Sequence, residues 1–187
     1  MLEAVLKTDE ELMWTSLSKA ELCRTPVFTV TVRHNKSASG VEGDYIVNEC
    51  ADWVIVIAEN DECFLMVKQF RHGEEKLSIE FPGGVIDAGE SPEEAAVREL
   101  KEETGAVASS LVHLGSMNPN PALFANHTHV YLATGLSFSG TQNLDHDELL
   151  DYMEIPKSEV LKKMGSAEYP HALMCAAAAL YMARSFL

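Results

Sequence analysis

Three carboxylates crowd into five residues of this chain, Glu99, Glu102 and Glu103, and a glycine-rich stretch with Gly83, Gly84 and Gly89 runs just ahead of them. Spaced along a helix at about 100° per residue, the three glutamates fall within about 100° of one another. Glu99 and Glu103 are i,i+4 neighbours, and Glu99 and Glu102 are i,i+3. Each such like-charge pair costs about 0.2–0.5 kcal/mol. Arg98 and Lys101 offset part of that cost, and a hard divalent cation such as Mg²⁺ or Mn²⁺, which prefers oxygen ligands, would offset more. The alternative is a solvated acidic face, the usual fate of a charge run. The glycines favour the first reading, because they let backbone pass close to a bound group. Together with divalent ions, a glycine turn feeding a carboxylate helix becomes a site for a diphosphate.

Local chemistry bounds the helix that must carry these residues. Ser91 is a good N-cap, Pro92 suits the first helical position, and Glu94 completes a capping box. Gly105 suits the C-terminal cap. Within the helix, Val97, Leu100 and Thr104 cluster within about 60°, which predicts a packing stripe with the glutamates on the opposite side.

Around it, Leu12, Leu17 and Leu22 among polar residues predict a helix over 9–22. Residues 27–33 alternate as a strand and pair with 44–49 as a hairpin with a long polar tip at 34–43. Residues 53–58 and 63–70 read as near-continuously apolar strands buried on both faces, joined by a turn at 59–62. Further strands are expected at 77–81, 110–117, 128–133 and 150–155, with helices at 157–164 and 170–186. The apolar run from Ala172 to Ala183 is shorter than the roughly 20 residues that span a bilayer, and reads as a core helix. Helices interleaved with a mixed sheet define an α/β (α+β) sandwich. Residues 1–50 form a helix-and-hairpin appendage, and residues 51–187 the domain that holds the glutamates.

Gly84, five residues, Glu90, seven residues and then Arg98-Glu-Leu-Lys-Glu-Glu-Thr-Gly105 resembles the signature box of the Nudix hydrolases. Every glycine and charged position of that box is filled, and Ala106 stands where the family carries a bulkier aliphatic residue. Val67-Lys-Gln-Phe-Arg71, Ile79-Glu-Phe-Pro-Gly83 and Asn118-Pro-Asn-Pro121 are similar to the ADP-ribose pyrophosphatase, or nucleoside-diphosphate-sugar hydrolase, branch.

The resemblance implies a Nudix α/β/α sandwich with an N-terminal hairpin, and Mg²⁺-dependent hydrolysis of a diphosphate linkage. ADP-ribose, split to AMP and ribose 5-phosphate, is the first substrate it suggests. Another nucleotide sugar such as GDP-mannose, a dinucleotide, or a non-catalytic nucleotide sensor are the alternatives. It implies metal ligation by Glu99, Glu103 and the Gly83 carbonyl, with Glu102 as a further ligand or a water-positioning base. Glu90 and Arg98 would pair with each other and, with Gly84, support the loop. A general base is implied on a later loop, where Glu148 is the choice and Asp145, Asp147 and His146 are competitors. Arg71 would hold a phosphate and Glu80 a ribose or a metal water. Tyr45 and Trp53 are candidates for stacking on the base, with core or interface roles as their alternative. A homodimer through the hairpin is also implied.

Charge sharpens what this chain should not bind. Asp and Glu number 29 against 14 Lys and Arg, a formal net of −15, so nucleic acid and anionic membranes are excluded as partners. Residues 87–103 hold seven acids against two bases, and residues 145–159 hold six against one. Most of the excess therefore sits in the two segments expected to carry metal ligands and base. No CxxC spacing links the four cysteines, and no basic-then-apolar leader opens the chain, which predicts free thiols in the cytoplasm. His127 and His129 alternate on a strand and read as ordinary histidines rather than zinc ligands.

Overall fold

The computed structural model describes residues 7–138, 140–144, 146 and 148–184. They divide into two compact units, one of residues 1–50 with 120–126 and the other of residues 51–119 with 127–187.

In the smaller unit, a one-turn helix α1 (Asp9–Leu12) leads into a three-stranded antiparallel sheet, β1 (Trp14–Arg24), β2 (Thr29–Ser37) and β3 (Glu42–Glu49), in that order. The helix expected over 9–22 is therefore corrected: it ends at Leu12, and residues 14–24 are a strand paired along β2. A leucine every fifth residue rotates by about 140° per step on a helix and never builds one face. The long polar tip is also corrected. Pairing continues to Lys36↔Glu42, leaving only residues 38–41 to turn, with Gly40 at φ +88°. Opposite charges hold this stretch of ladder: His34 Nδ1 lies 2.7 Å from Asp44 and Lys36 Nζ 2.8 Å from Glu42, each pair directly across the strands.

The larger unit runs β4 (Trp53–Asn60), β5 (Cys63–Arg71), β6 (Lys76–Glu80), α2 (Pro92–Thr104), β7 (Ala106–Met117), β8 (Thr128–Phe138), β9 (Leu150–Pro156), α3 (Lys157–Lys163) and α4 (Ala172–Ala183). Its six-stranded mixed sheet has the order β6-β5-β4-β8-β7, with β9 added on β5; β4 and β8 are parallel. β4 alternates its side chains between two cores. Val54, Val56 and Ala58 pack towards Ala95, Ala96 and Leu100 of α2, whereas Ile55 and Ile57 pack towards Met174, Ala177 and Ala178 of α4. This is the α/β/α sandwich expected from the sequence. None of the described helices is long and apolar enough to cross a membrane.

One irregularity of the sheet positions everything that follows. β4 and β5 pair only at the hairpin, from Ala58↔Leu65 to Asn60↔Cys63. Beyond it they part, and residues 82–86 run beside β4 instead. Val54 N and Val56 N donate to the carbonyls of Gly84 and Pro82 at 2.9 and 2.8 Å, and Ile86 N donates to Asp52 O at 2.9 Å. The glycine loop is thus fixed to the sheet as an extra strand would be.

Candidate active site

Both ends of α2 are set as its sequence dictates. Ser91 Oγ accepts from Glu94 N, Glu94 Oε2 accepts from Ser91 N at 2.9 Å, and Gly105 closes the helix in the left-handed region at φ +71°. Its packing face differs from the expected stripe. Val97 is 49% exposed, while Ala95, Ala96, Glu99, Leu100, Glu103 and Thr104 are buried. Glu99 and Glu103 thus lie at the centre of the inward face, at 8% and 2% exposure, so the solvated acidic face is excluded for these two. The reason lies below them, where the glycine loop presents backbone polarity and room rather than an apolar surface.

Gly83 and Gly84 make that room. A Cβ on Gly83, whose φ is +151°, would stand 2.1 Å from Val54 O, and one on Gly84 would stand 2.4 Å from Glu99 Oε1. The loop is squeezed between β4 and the helix carboxylates, and any side chain at either position would force one of them away. In return Gly83 N donates to Glu103 Oε2 at 2.8 Å.

Arg98 organises the rim. Its Nε and Nη2 each lie 2.9 Å from a Glu90 oxygen, its Nη1 lies 2.9 Å from Glu99 and 3.1 Å from Glu102, and its Nη2 also reaches Val85 O at 3.0 Å. Hydrogen bonds that it donates to these carboxylates, Glu90 foremost, raise the guanidinium pKa well above its ordinary value. The ion pairs tie the start of α2 to the loop.

Loop, helix and β5 enclose a cavity of about 290 Å³. Glu99, Glu103, Glu148, Asp87, Arg71, Arg98, Gly83, Gly84, Val85, Trp53 and Gln69 line it. Burial pushes the Glu103 carboxyl up to about 8, and the charges of Glu99 and Glu148 push the same way against Gly83 N–H and Arg71. Burial likewise raises Glu99, against the pull of Arg98. Opposite them, Arg71 makes a two-pronged bond to Glu80, Nε at 2.9 Å and Nη2 at 2.5 Å. Glu80 is fully buried, yet Arg71 outweighs that burial and holds its carboxyl below the ordinary value.

Of the residues singled out in the sequence, Gly83, Gly84, Glu99, Glu103, Arg71, Arg98, Trp53 and Glu148 come together around this cavity. Glu80 backs Arg71 rather than lining the cavity, and Glu90 and Glu102 engage Arg98 outside it. Tyr45 belongs to the smaller unit, its ring edge-on to Trp14 at 5.5 Å. Asp145 and Asp147 lie outside the described residues. Gln69, Val85 and Asp87 are lining residues that the sequence reading did not single out. The strand period offered a signal for Gln69, which stands two residues before Arg71 on β5 and so shares its side.

His129 is better placed than a bland strand histidine. Its Nε2 lies 3.3 Å from Asp52 Oδ2 and its Nδ1 lies 2.7 Å from Ser116 Oγ, while Asp52 Oδ1 accepts from His127 N at 2.7 Å. Through its own carbonyl Asp52 also holds Ile86, so the network steadies the loop from behind.

The donor chemistry suits a hard cation. Glu99 and Glu103 are buried carboxylates that repel each other, and the flanking carbonyls of Pro82 and Gly84 are committed to β4. Among the described residues no three Asp, Glu, His or Cys side chains already converge on a metal position.

Comparison with known proteins agrees with this geometry. The NUDIX domain family model matches residues 50–174. Over 117 residues the chain is 39% identical to the ADP-ribose pyrophosphatase of Bacillus subtilis (strain 168), covering 62% of this chain and 63% of that protein. It is 26% identical over 175 residues to the ADP compounds hydrolase NudE of Escherichia coli (strain K12), covering 92% of each. A solved structure described as an ADP compounds hydrolase superposes with a TM-score of 0.80 at 26% identity, over 94% of this chain and 95% of that one. The matches to the first curated relatives span about three fifths of those proteins' length.

Proposed function

The chain belongs to the Nudix hydrolase family, and from that premise we propose that it hydrolyses the diphosphate linkage of a nucleoside diphosphate derivative, ADP-ribose first among them, to AMP and ribose 5-phosphate. The observation that carries this reading is the meeting of Glu99, Glu103, Glu148 and Arg71 around one cavity beside the glycine loop. The similarity to an ADP-ribose pyrophosphatase and an ADP compounds hydrolase supports the substrate class.

Glu99 and Glu103, with the Gly83 carbonyl, are the groups that would hold Mg²⁺, with Mn²⁺ as substitute. When bound, such an ion neutralises diphosphate oxygens and lowers the pKa of an attacking water. Arg71 faces the diphosphate with a guanidinium that Glu80 keeps in one orientation. Glu148 takes the proton from the attacking water. Trp53 offers its ring to the nucleoside or sugar. Arg98 holds Glu90, Glu99 and Val85 so that loop and helix keep their spacing. Glu102, bonded to Arg98, is a reserve ligand.

The smaller unit exposes Trp14, Leu17 and Leu22 along β1, a strand exposed throughout. That surface supports a homodimer formed through the N-terminal sheet, which sedimentation at two concentrations would test.

A panel of ADP-ribose, GDP-mannose, other nucleotide sugars and dinucleotides, each assayed with Mg²⁺ at equal concentration, tests the substrate. ADP-ribose should give the highest kcat/KM. If it ranks below several others, the substrate assignment fails while the chemistry stands. If no compound releases a monophosphate, the chain is a binding module and the hydrolase reading fails.

A further inference from the structure

One wall of the cavity is unlike the rest. Trp53 and Val85 face each other as an antiparallel bridge between β4 and the glycine loop. Ile86, next in the chain, donates to Asp52 O at 2.9 Å and turns its side chain into the core under α2. By the two-residue period of extended chain, Asp87 returns to the side of Val85 and Trp53, about 7 Å further along. All three line the cavity, which Arg71, Glu99 and Glu103 also reach. The wall therefore carries an aromatic ring, an aliphatic side chain and a carboxylate in a row.

The backbone of Asp87 is held firmly. Its N–H donates to Glu90 Oε2 at 3.2 Å, its carbonyl accepts from Glu90 N at 3.0 Å, and Arg98 grips Glu90 in turn. Its carboxylate, by contrast, has no hydrogen bond or ion pair among the described residues. Arg98, which also lines the cavity, is committed to Glu90, Glu99, Glu102 and Val85 O. An ionised carboxylate only accepts hydrogen bonds, and it repels a diphosphate. What it can take from a nucleoside diphosphate derivative is a neutral donor. The vicinal hydroxyls of a ribose are such donors, a pair spaced for the two oxygens of one carboxylate, and the Trp53 ring covers the carbon side of the sugar.

We propose that Asp87 is a specificity-determining residue: its carboxylate accepts from the vicinal diol of a ribose seated against Trp53 and Val85. This deepens the reading of the cavity as a diphosphate site and rests on it. The nucleoside ribose and the terminal ribose of ADP-ribose carry the same diol, and the test separates them. Asp87 binds the sugar and touches no reacting atom, so its loss should raise KM and leave kcat nearly unchanged.

Steady-state kinetics with Mg²⁺ on the wild type, Asp87→Asn and Asp87→Ala test this. The substrates are ADP-ribose, its 2′-deoxyadenosine analogue and its analogue with 2-deoxyribose as the terminal sugar, and thermal melts establish that each variant is folded. Wild-type kcat/KM should fall about tenfold on one of the two analogues, the low end for a hydrogen bond to a charged group. Asp87→Ala should lose as much on ADP-ribose, and nothing further on that analogue. Asp87→Asn, which keeps the shape and one acceptor, should fall between. The sensitive analogue names the ribose. Losses that multiply on both analogues, or a wild-type KM for ADP-ribose in Asp87→Ala, would overturn the diol contact. So would a loss in Asp87→Ala that saturating Mg²⁺ abolishes, which would give the carboxylate to the cation instead. If the wild type hydrolyses none of these compounds, the hydrolase reading fails by itself, and the same comparison in Kd by calorimetry decides the diol contact.

Discussion

Glu80 and Glu103 are two carboxylates sealed almost completely from solvent, 0% and 2% exposed, and the chain treats them in opposite ways. Glu80, at the end of β6, receives both prongs of Arg71 and stays below its ordinary pKa. Glu103, in the last turn of α2, receives a backbone N–H from Gly83 and is pushed up to about 8. Burial alone raises a carboxyl pKa, and a nearby cation or donated hydrogen bonds oppose it. The protein supplies that cation at Glu80 and withholds it at Glu103. A buried carboxylate left in this state beside a cavity marks a place for a cation from outside. The contrast separates a structural ion pair from a ligand position.

The largest effect should come from removing the internal cation. Arg71→Met leaves Glu80 buried and unpaired, and should lower unfolding free energy by about 3–5 kcal/mol at pH 7 in urea titrations. In the wild type the depressed carboxyl contributes stability that is present above its unfolded pKa and lost as pH falls through the folded one. The gap between wild type and variant should therefore close in acid, and a pH-independent gap would show that Glu80 is not the cause. Next, Glu103→Gln should cut turnover about 10²-fold, or about 2.7 kcal/mol at the barrier, with the fold intact. Near-normal turnover would remove Glu103 from the metal site. The smallest effect should be at the helix start, remote from both carboxylates. Ser91→Ala should cost about 1 kcal/mol in stability through loss of the N-cap, with turnover nearly unchanged. A turnover loss as large as that of Glu103→Gln would mean that helix placement, and not the buried charge, limits the reaction.

Much of the architecture was legible because it is written locally. The limits of α2 follow from Ser91, Pro92, Glu94 and Gly105, each acting within one turn of chain, and the structure has the helix over the same residues. The doubly apolar β4 and β5 announced a sheet covered on both faces, which the two cores bear out. What failed depended on distant partners. A stripe drawn from apolar residue types placed the glutamates outward, since nothing within α2 reveals that Gly83, twenty residues away, offers its N–H to Glu103. β1 was misread because its widely spaced leucines gave no hint that β2 would pair with it along its length. The histidine network was invisible for the same reason, Asp52 and His129 being 77 residues apart. At the candidate site, the box residues were legible through their spacing. Gln69 required the strand's two-residue period.

The central claim is that Glu103 lacks a cation that the chain itself does not provide. It is tested most directly by the melting temperature of the metal-free protein between pH 5 and 8, with and without Mg²⁺, for the wild type and Glu103→Gln. A carboxyl whose pKa is higher in the folded state contributes a stability that falls as pH climbs from its unfolded value, near 4.3, through the folded value of about 8. Metal-free wild type should therefore lose stability across this range, at up to about 1.4 kcal/mol per pH unit, and Mg²⁺ should restore it at pH 8. Glu103→Gln should show neither the pH-dependent loss nor the full Mg²⁺ gain. Equal pH dependence and equal Mg²⁺ stabilisation in the two proteins would contradict the account.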